Sequence, residues 1–219
     1  ADPGEAAVAK LKRAGIKVVS VIPTVAHARR MEAEGVDAVV ASGTEAGGHV
    51  GTVATMPLVP QVVDAVKIPV LAAGGIGDAR GLVAAFALGA VGIQMGTRFM
   101  ATKESDLNAW GVAKLLEMRE TDTIVTRAMT GATVRCIRTP EIVAYEDALS
   151  RHAADAEITE LKRKVRGGRN ADDKADRRQS AAGQVAGMIH DVMPVKDLIE
   201  KMFSDAAALA GRLPGMAAA

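Results

Sequence analysis

Residues 45–51 combine a histidine, His49, with three glycines, and they directly follow the apolar run of residues 36–41. A strand that ends in such a loop carries an imidazole at its carboxyl end, where open α/β sheets and β/α barrels place their chemistry. The glycines permit positive φ angles and present no Cβ, so a flat ligand could lie against the backbone with the imidazole over it. The alternative is a flexible surface loop in which the histidine has no role.

Two further glycine-rich loops, residues 72–78 and 94–99, follow the next two predicted strands, and each opens a helix. Unpaired N–H groups at a helix start attract anions, and loops on adjacent strands would converge on one point. We therefore expect the two loops to form a phosphate clamp. The alternative is that Asp78 and Thr97 are only helix caps and that the glycines are only turn residues. Nucleotide motifs fit less well, because Arg80 stands where the dinucleotide fingerprint needs its last glycine and no phosphate-loop motif is present.

Other residue types that could do chemistry fit structural roles better. Glu45 is close enough in sequence to influence His49 but is more typical of a turn or cap residue. Met56 and Met95, near strand ends, could line an apolar pocket or fill the core. Cys136 is the only cysteine and has no metal-ligand spacing around it, so we expect neither a metal site nor an intramolecular disulfide. The remaining histidines lie in polar helical contexts that favour surface positions: His27, His152 and His190.

The composition is that of a globular protein with a sizeable core. The 219 residues are 49% hydrophobic but only 2% aromatic, so the core must consist of Ala, Val, Ile and Leu. A net charge of +1 gives no argument for nucleic-acid or membrane binding, and no apolar stretch approaches the roughly 20 residues that span a bilayer. We expect a cytoplasmic protein with a small-molecule substrate.

The first hundred residues alternate between helical and strand periodicity. Helices are predicted over residues 5–14, 25–34, 57–66 and 78–88, and the glycines expected to close three of them are Gly15, Gly35 and Gly89. Strands are predicted over residues 17–22, 36–41, 69–73 and 91–95. This alternation implies right-handed crossovers and a parallel sheet, and the continuous apolar strands indicate that both faces are covered.

Four such units are half of an eight-stranded barrel, which typically needs about 250 residues. We therefore predict an α/β fold of the TIM (β/α)8 type that is incomplete and holds strands five to eight. Residues 1–104 would form this second half of the barrel, residues 105–180 a helical substrate or lid insertion over its mouth, and residues 181–219 a C-terminal helix returning to it. Within the insertion, a helix is predicted over residues 140–161. Residues 161–180, which include the basic run 162–169, are expected to be a solvated or mobile segment rather than a binding patch.

Taken together, the histidine segment and the two glycine loops resemble, in order and spacing, the FMN-dependent nitronate monooxygenases, formerly 2-nitropropane dioxygenases. The closely related FMN-dependent enoyl-acyl-carrier-protein reductases carry the same set. The similarity is dense over residues 17–105 and resumes at residues 181–187. Family members begin with a further segment that holds the first barrel strands, so the chain resembles the C-terminal two thirds of the family.

The resemblance implies specific site residues. By motif, His49 is the catalytic histidine near the flavin ring. The residues expected to contact FMN, the last several at its phosphate, are Gly48, Gly74, Gly75, Gln94, Met95, Gly96 and Thr97. No metal is implied, and a homodimer is left open.

Three functions remain open from the sequence. The first is oxidation of an alkyl nitronate by O2, with His49 holding the nitro group or removing the α-proton and FMN carrying the electrons. The second is reduction of an enoyl thioester with NAD(P)H through FMN, which the basic run slightly favours because acyl carrier protein is acidic. The third is an inactive fragment or half-barrel that binds phosphate.

Overall fold

The computed structural model describes residues 4–167 and 181–217, in which the chain forms two compact units. The first unit comprises Ala1–Thr44, Gly51–Met95 and Lys196–Ala219, and the second comprises Glu45–Val50 and Gly96–Val195. These bounds differ from the predicted ones in two ways. Residues 45–50 and 96–104 belong to the second unit, and the C-terminal segment 181–219 divides between the second unit, up to Val195, and the first. The role of residues 105–180 as a substrate lid stays a prediction.

The helices and strands follow in chain order. They are α1 (Glu5–Arg13), β1 (Val19–Ile22), α2 (Val25–Ala33), β2 (Ala38–Ser42), β3 (Gly48–His49), α3 (Thr55–Val63), β4 (Val70–Ala73), α4 (Ala79–Ala87), β5 (Gly92–Gln94), α5 (Thr97–Met100), α6 (Ala109–Glu117), β6 (Thr123–Thr126), β7 (Val134–Ile137), α7 (Pro140–Ser150), α8 (Asp155–Gly167), a 3-10 helix (Gln184–Met188) and α9 (Val195–Ala217).

The first unit contains a parallel four-stranded sheet in the order β1-β2-β4-β5. Val40 of β2 lies opposite Val21 of β1 and opposite Leu71 of β4, and Ala72 of β4 lies opposite Ile93 of β5. The predicted α/β fold with a parallel sheet is therefore confirmed, and β4 and β5 are neighbours as expected. Within the described residues this sheet is open, so the structure shows no closed barrel.

Local sequence features explain where the helices of this unit begin and end. Gly15, Gly35 and Gly89 follow three of the helices with φ angles of 75°, 86° and 92°, which only glycine adopts without strain. Thr24 caps α2, because its Oγ1 accepts a hydrogen bond of 3.2 Å from the N–H of His27. The predicted glycine stops are confirmed.

The core of this unit lies between the sheet and its helices. Val39 and Ala72 from the strands pack in one cluster with Met31, Leu58 and Val62 from the helices. The prediction that both faces of every strand are covered is wrong for β1 at the sheet's edge, where Val19 and Val21 are each 53% exposed.

The second unit contains an antiparallel sheet in the order β3-β7-β6, with α6, α7 and α8. Residues 105–180, predicted as a helical insertion, thus also contain the antiparallel strands β6 and β7. The predicted helix over residues 140–161 divides into α7 and α8, since His152 between them has a φ of 55° that a helix does not allow. The start of α7 is as expected: Oγ1 of Thr139 accepts a hydrogen bond from the N–H of Ile142, and Pro140 occupies the first turn.

The C-terminal region is less regular than the helix predicted over residues 181–219. A 3-10 helix, Gln184–Met188, precedes α9, and Pro194 stands just before α9 begins. In the first unit, Met202 and Ala206 of α9 pack against Ala79 and Leu82 of α4. Among the described helices, none is both long and apolar enough to cross a membrane.

Candidate functional site

The first glycine loop begins where β4 ends. Gly74 and Gly75 have φ angles of 86° and 72°, and no hydrogen bond among the described residues uses their N–H groups. Thr55, at the start of α3, donates from Oγ1 to the carbonyl oxygens of Ala73 and Gly74, at 3.1 and 2.9 Å. Sequence analysis did not identify Thr55, because nothing in the sequence indicates that its hydroxyl faces this loop.

The start of α4 is not an open anion site. Oδ1 of Asp78 accepts the N–H of Arg80 at 2.9 Å, and Oδ2 accepts the Arg80 Nε at 2.8 Å. Burial raises the pKa of the Asp78 carboxyl, but the hydrogen bonds from Arg80 outweigh it, and the pKa lies below its usual value. Asp78 therefore caps α4, and Gly74 and Gly75 lie upstream of this cap.

The last two site residues of the first unit are Gln94 and Met95, at the end of β5. Gln94 is exposed, whereas Met95 is half-buried against the core clusters of this unit. Met95 therefore has a packing role in this unit.

In the second unit, Gly96 and Thr97 open the short helix α5. A Cβ on Gly96 would meet no atom within 4 Å, so the backbone here is accessible. Thr97 is 7% exposed, and its Oγ1 accepts a hydrogen bond of 2.9 Å from the N–H of Gly183. The next side chain, Arg98, is buried and donates to Asp191 Oδ1 at 2.6 Å and to the carbonyl of Ala101 at 3.3 Å. Arg98 therefore stabilises the fold of this unit.

His49 was predicted to lie in a loop. It lies instead in the two-residue strand β3. It pairs with Val134 of β7 in an antiparallel register, while Gly48 pairs with Arg135. The imidazole is exposed, and its Nε2 lies 3.4 Å from Oγ1 of Thr130. Backbone pairing thus holds the histidine, while its ring remains accessible.

The glycines around His49 serve two different purposes. Gly48 has the expected positive φ, 86°, but Gly47 and Gly51 do not. A Cβ on Gly47 would lie 2.7 Å from the carbonyl carbon of Ala182, and one on Gly51 would lie 2.6 Å from Cβ of Pro23. Close packing, rather than backbone conformation, therefore requires glycine at these two positions.

Residues 182–184 contact the backbone of residues 45–47, which directly precede β3. The N–H of Gln184 donates to the carbonyl oxygen of Glu45 at 2.9 Å. A Cβ on Gly183 would lie 2.7 Å from that same oxygen and 3.1 Å from the N–H nitrogen of Gly47. The glycine-containing motif at residues 181–187 therefore supports the segment that carries His49.

Arg135 of β7, which pairs with Gly48 of β3, is a buried cation. It is 7% exposed, and its Nη1 donates to Oγ1 of Thr123 at 3.0 Å. Burial lowers the pKa of the Arg135 guanidinium, while attraction to Glu45 opposes that shift. Burial also raises the pKa of the neighbouring Cys136 thiol to about 11, so this thiol is protonated at neutral pH and is a poor nucleophile.

The remaining candidates have minor roles. His152 and His190 are exposed, as predicted, and His27 is half-buried on α2. Of the basic run, Arg163 pairs with Glu160 and Arg166 donates to the carbonyl of Ala128, while residues 168–180 lie outside the described residues. No group of three or more His, Cys, Asp or Glu side chains in the described ranges could hold a metal ion.

The predicted site residues thus fall into two sets. The first unit holds Gly74, Gly75, Gln94 and Met95, and the second holds Gly48, His49, Gly96 and Thr97. A family model for nitronate monooxygenase matches residues 1–205 of the chain. The chain belongs to the nitronate monooxygenase family. The resemblance drawn from the motifs is therefore confirmed.

Curated relatives of this member of the nitronate monooxygenase family carry names that agree with the family match. A probable nitronate monooxygenase of Staphylococcus aureus (strain JH9) is 40% identical, over 74% of this chain and 50% of the relative. The chain thus spans about half the length of the curated relatives it matches.

Solved structures of two proteins are also similar. FabK from Thermotoga maritima is 39% identical with a TM-score of 0.83, covering 99% of this chain and 69% of that one. Nitroalkane oxidase from Streptomyces ansochromogenes is 32% identical with a TM-score of 0.76, covering 96% and 63%.

Proposed function

We propose that this chain is an FMN-dependent oxidoreductase that oxidises alkyl nitronates with O2. The observation that carries the proposal is the nitronate monooxygenase family match over residues 1–205, which includes His49 and both glycine loops. The accessible imidazole on β3 is the described group best suited to act on a small substrate, because β3 is held on both sides while the ring is exposed.

Each unit, taken by itself, offers groups that a flavin requires. The unpaired N–H groups of Gly74 and Gly75 are suitable donors to a phosphate or a carbonyl oxygen. Gly48 and Gly96 leave open space where a side chain would otherwise stand, as a flat ring or its chain requires. Together with Gln94, Met95 and Thr97, these residues would hold FMN, which supplies reversible electron transfer when bound.

His49 would act on the substrate in one of two protonation states. As imidazolium it would hold the anionic nitro group of a nitronate, and as neutral imidazole it would accept the α-proton of a nitroalkane. Thr130 Oγ1, 3.4 Å from Nε2, would orient the ring in either state. Because β3 is paired with β7 and residues 182–184 hold the segment before it, the backbone that carries the ring is already in place.

The alternative is reduction of an enoyl thioester with NAD(P)H, in which His49 would position the thioester carbonyl. The exposed basic side chains of α8 support this alternative, since they would attract an acidic carrier protein. That support is limited, because Arg163 and Arg166 already have partners within the unit.

Two measurements on the purified chain test the proposal. FMN added to the chain should bind and shift its absorbance spectrum, and O2 should be consumed when the anion of nitroethane is added. Anaerobic consumption of NADH or NADPH in the presence of crotonyl thioester would instead favour the reductase. Failure to bind FMN would contradict both activities and favour a fragment without flavin chemistry.

A further inference from the structure

Thr55 hydrogen-bonds to two consecutive peptide units of the first glycine loop. Its hydroxyl is 3.1 Å from the carbonyl oxygen of Ala73 and 2.9 Å from that of Gly74, and the residue is only 8% exposed. A threonine hydroxyl has one proton, so this proton is shared between the two oxygens. The single side chain thereby restrains the orientation of both peptide planes.

The orientation of these carbonyl groups fixes the direction of the N–H groups. In a trans peptide the C=O and N–H bonds point in opposite directions, so the N–H groups of Gly74 and Gly75 point away from Thr55. The carbonyl of Ala73 also accepts the N–H of Gly43 at 2.9 Å, on the β2 side of β4. The N–H of Gly74 therefore points toward the β5 side of the sheet.

The Gly43 N–H also holds the carbonyl of Ala73, so the peptide between Gly74 and Gly75 depends on Thr55 more than the preceding peptide does. Gly74 and Gly75 lack Cβ atoms, so the peptide between them can rotate with little steric resistance. Successive N–H groups held on one side form a concave anion-binding surface. The nearby carboxylate of Asp78 is neutralised by Arg80, so it does not oppose an anion at this position.

We propose that Thr55 is a positioning residue that directs the N–H groups of Gly74 and Gly75 toward the phosphate of a bound flavin. This inference rests on the proposed function, because it assumes that the chain binds FMN. It concerns binding of the phosphate and not the chemical step.

The test compares FMN with riboflavin, which is the same molecule without the phosphate. Dissociation constants are measured by flavin fluorescence for the apo chain and for three variants. Thr55→Val keeps the side-chain shape but removes the hydroxyl, and it should weaken FMN binding about tenfold, as for loss of one hydrogen bond to a charged group. Riboflavin binding should change less than about twofold, and Thr55→Ser should retain most of the FMN affinity.

Thr24→Val is the matched control, because it removes a different helix-start hydroxyl from the same unit. It should destabilise the chain without changing the ratio of FMN to riboflavin affinity. Equal weakening of both flavins by Thr55→Val, or no weakening of either, would overturn the inference. A wild-type chain that binds neither flavin would contradict the proposed function instead.

Amide hydrogen exchange at saturating FMN tests the positioning separately. FMN should protect the peptide covering residues 73–77 in the wild type, and this protection should fall in Thr55→Val and fall less in Thr55→Ser. Unchanged protection in Thr55→Val would refute the positioning role, whatever the affinity ratio gives.

Discussion

The N–H of Gly183 donates a 2.9 Å hydrogen bond to Oγ1 of Thr97, although 86 positions of sequence separate the two residues. This bond occupies one lone pair of the Thr97 hydroxyl and fixes the side chain in a buried position. The same glycine lies against the backbone of Glu45 and Gly47. One residue therefore supports both Thr97 and the segment that carries His49.

Gly183→Ala should destabilise the second unit by about 1–3 kcal/mol, as overpacking does in a dense interior. The backbone of Gly183, with φ −83° and ψ 168°, suits alanine, so the cost would come from the contact of 2.7 Å with the Glu45 carbonyl oxygen. Chemical denaturation would measure it. Gly211→Ala on α9 is the control, because a Cβ at this position would have no atom within 4 Å. It should be neutral or stabilising by about 1 kcal/mol. Equal effects of the two substitutions would contradict the packing argument.

His49→Ala should leave the fold and FMN binding largely intact and lower turnover about 10²–10⁴-fold, the usual contribution of a general acid or base. The ring is exposed, so its loss should create no cavity. Thermal melts, flavin content and O2 consumption would be measured together. His190→Ala removes another exposed imidazole of the second unit and should have no effect on turnover. A general loss of stability in His49→Ala would identify the histidine as a structural residue.

Gly96→Leu should abolish flavin retention while the chain still folds. The φ of −109° at Gly96 is accessible to leucine, and a Cβ there meets no protein atom within 4 Å. A ligand that lies against this backbone would therefore clash with the new side chain, beginning at its Cβ. Flavin absorbance after gel filtration, with circular dichroism for the fold, would measure both properties. A full complement of FMN in this variant would show that the phosphate clamp is misplaced.

Asp37 should make the first unit sensitive to acid. A hydrogen bond from the Val18 N–H, together with Lys17 and Lys12, lowers the pKa of its carboxyl to about 2 against the opposing effect of burial. Because this pKa is below the unfolded value of about 3.9, the stabilisation is complete above pH ~4 and is lost as the pH falls toward 2. Asp37→Asn should lower the melting temperature at pH 7 and converge with the wild type near pH 2. Asp64→Asn, which alters an exposed carboxylate of the same unit, is the control. A difference that persists unchanged at pH 2 would contradict this account.

Hydrophobic periodicity and the glycines that follow helix ends predicted the parallel strands and helices of the first unit, because each of these elements is specified by its own local sequence. The pairing of β3 with β7 was not predictable in this way. It joins His49 to Val134, and a two-residue strand has no periodicity of its own. Likewise, the glycine at position 47 was expected for its backbone freedom, whereas Ala182, far along the chain, is what requires it. Thr55 was missed for the same reason: its importance comes from the two carbonyl groups beside it, at positions 73 and 74.

The placement of β3 limits how the protein can be dissected. A polypeptide of residues 96–195 alone contains most of the second unit but not residues 45–50. It would leave the β7 edge without its neighbour and the amide of Gln184 without its acceptor on Glu45. Expressing this unit by itself therefore requires residues 45–50 to be grafted on through a new connection, as in a circular permutation. Without that graft, the exposed strand edge would favour self-association.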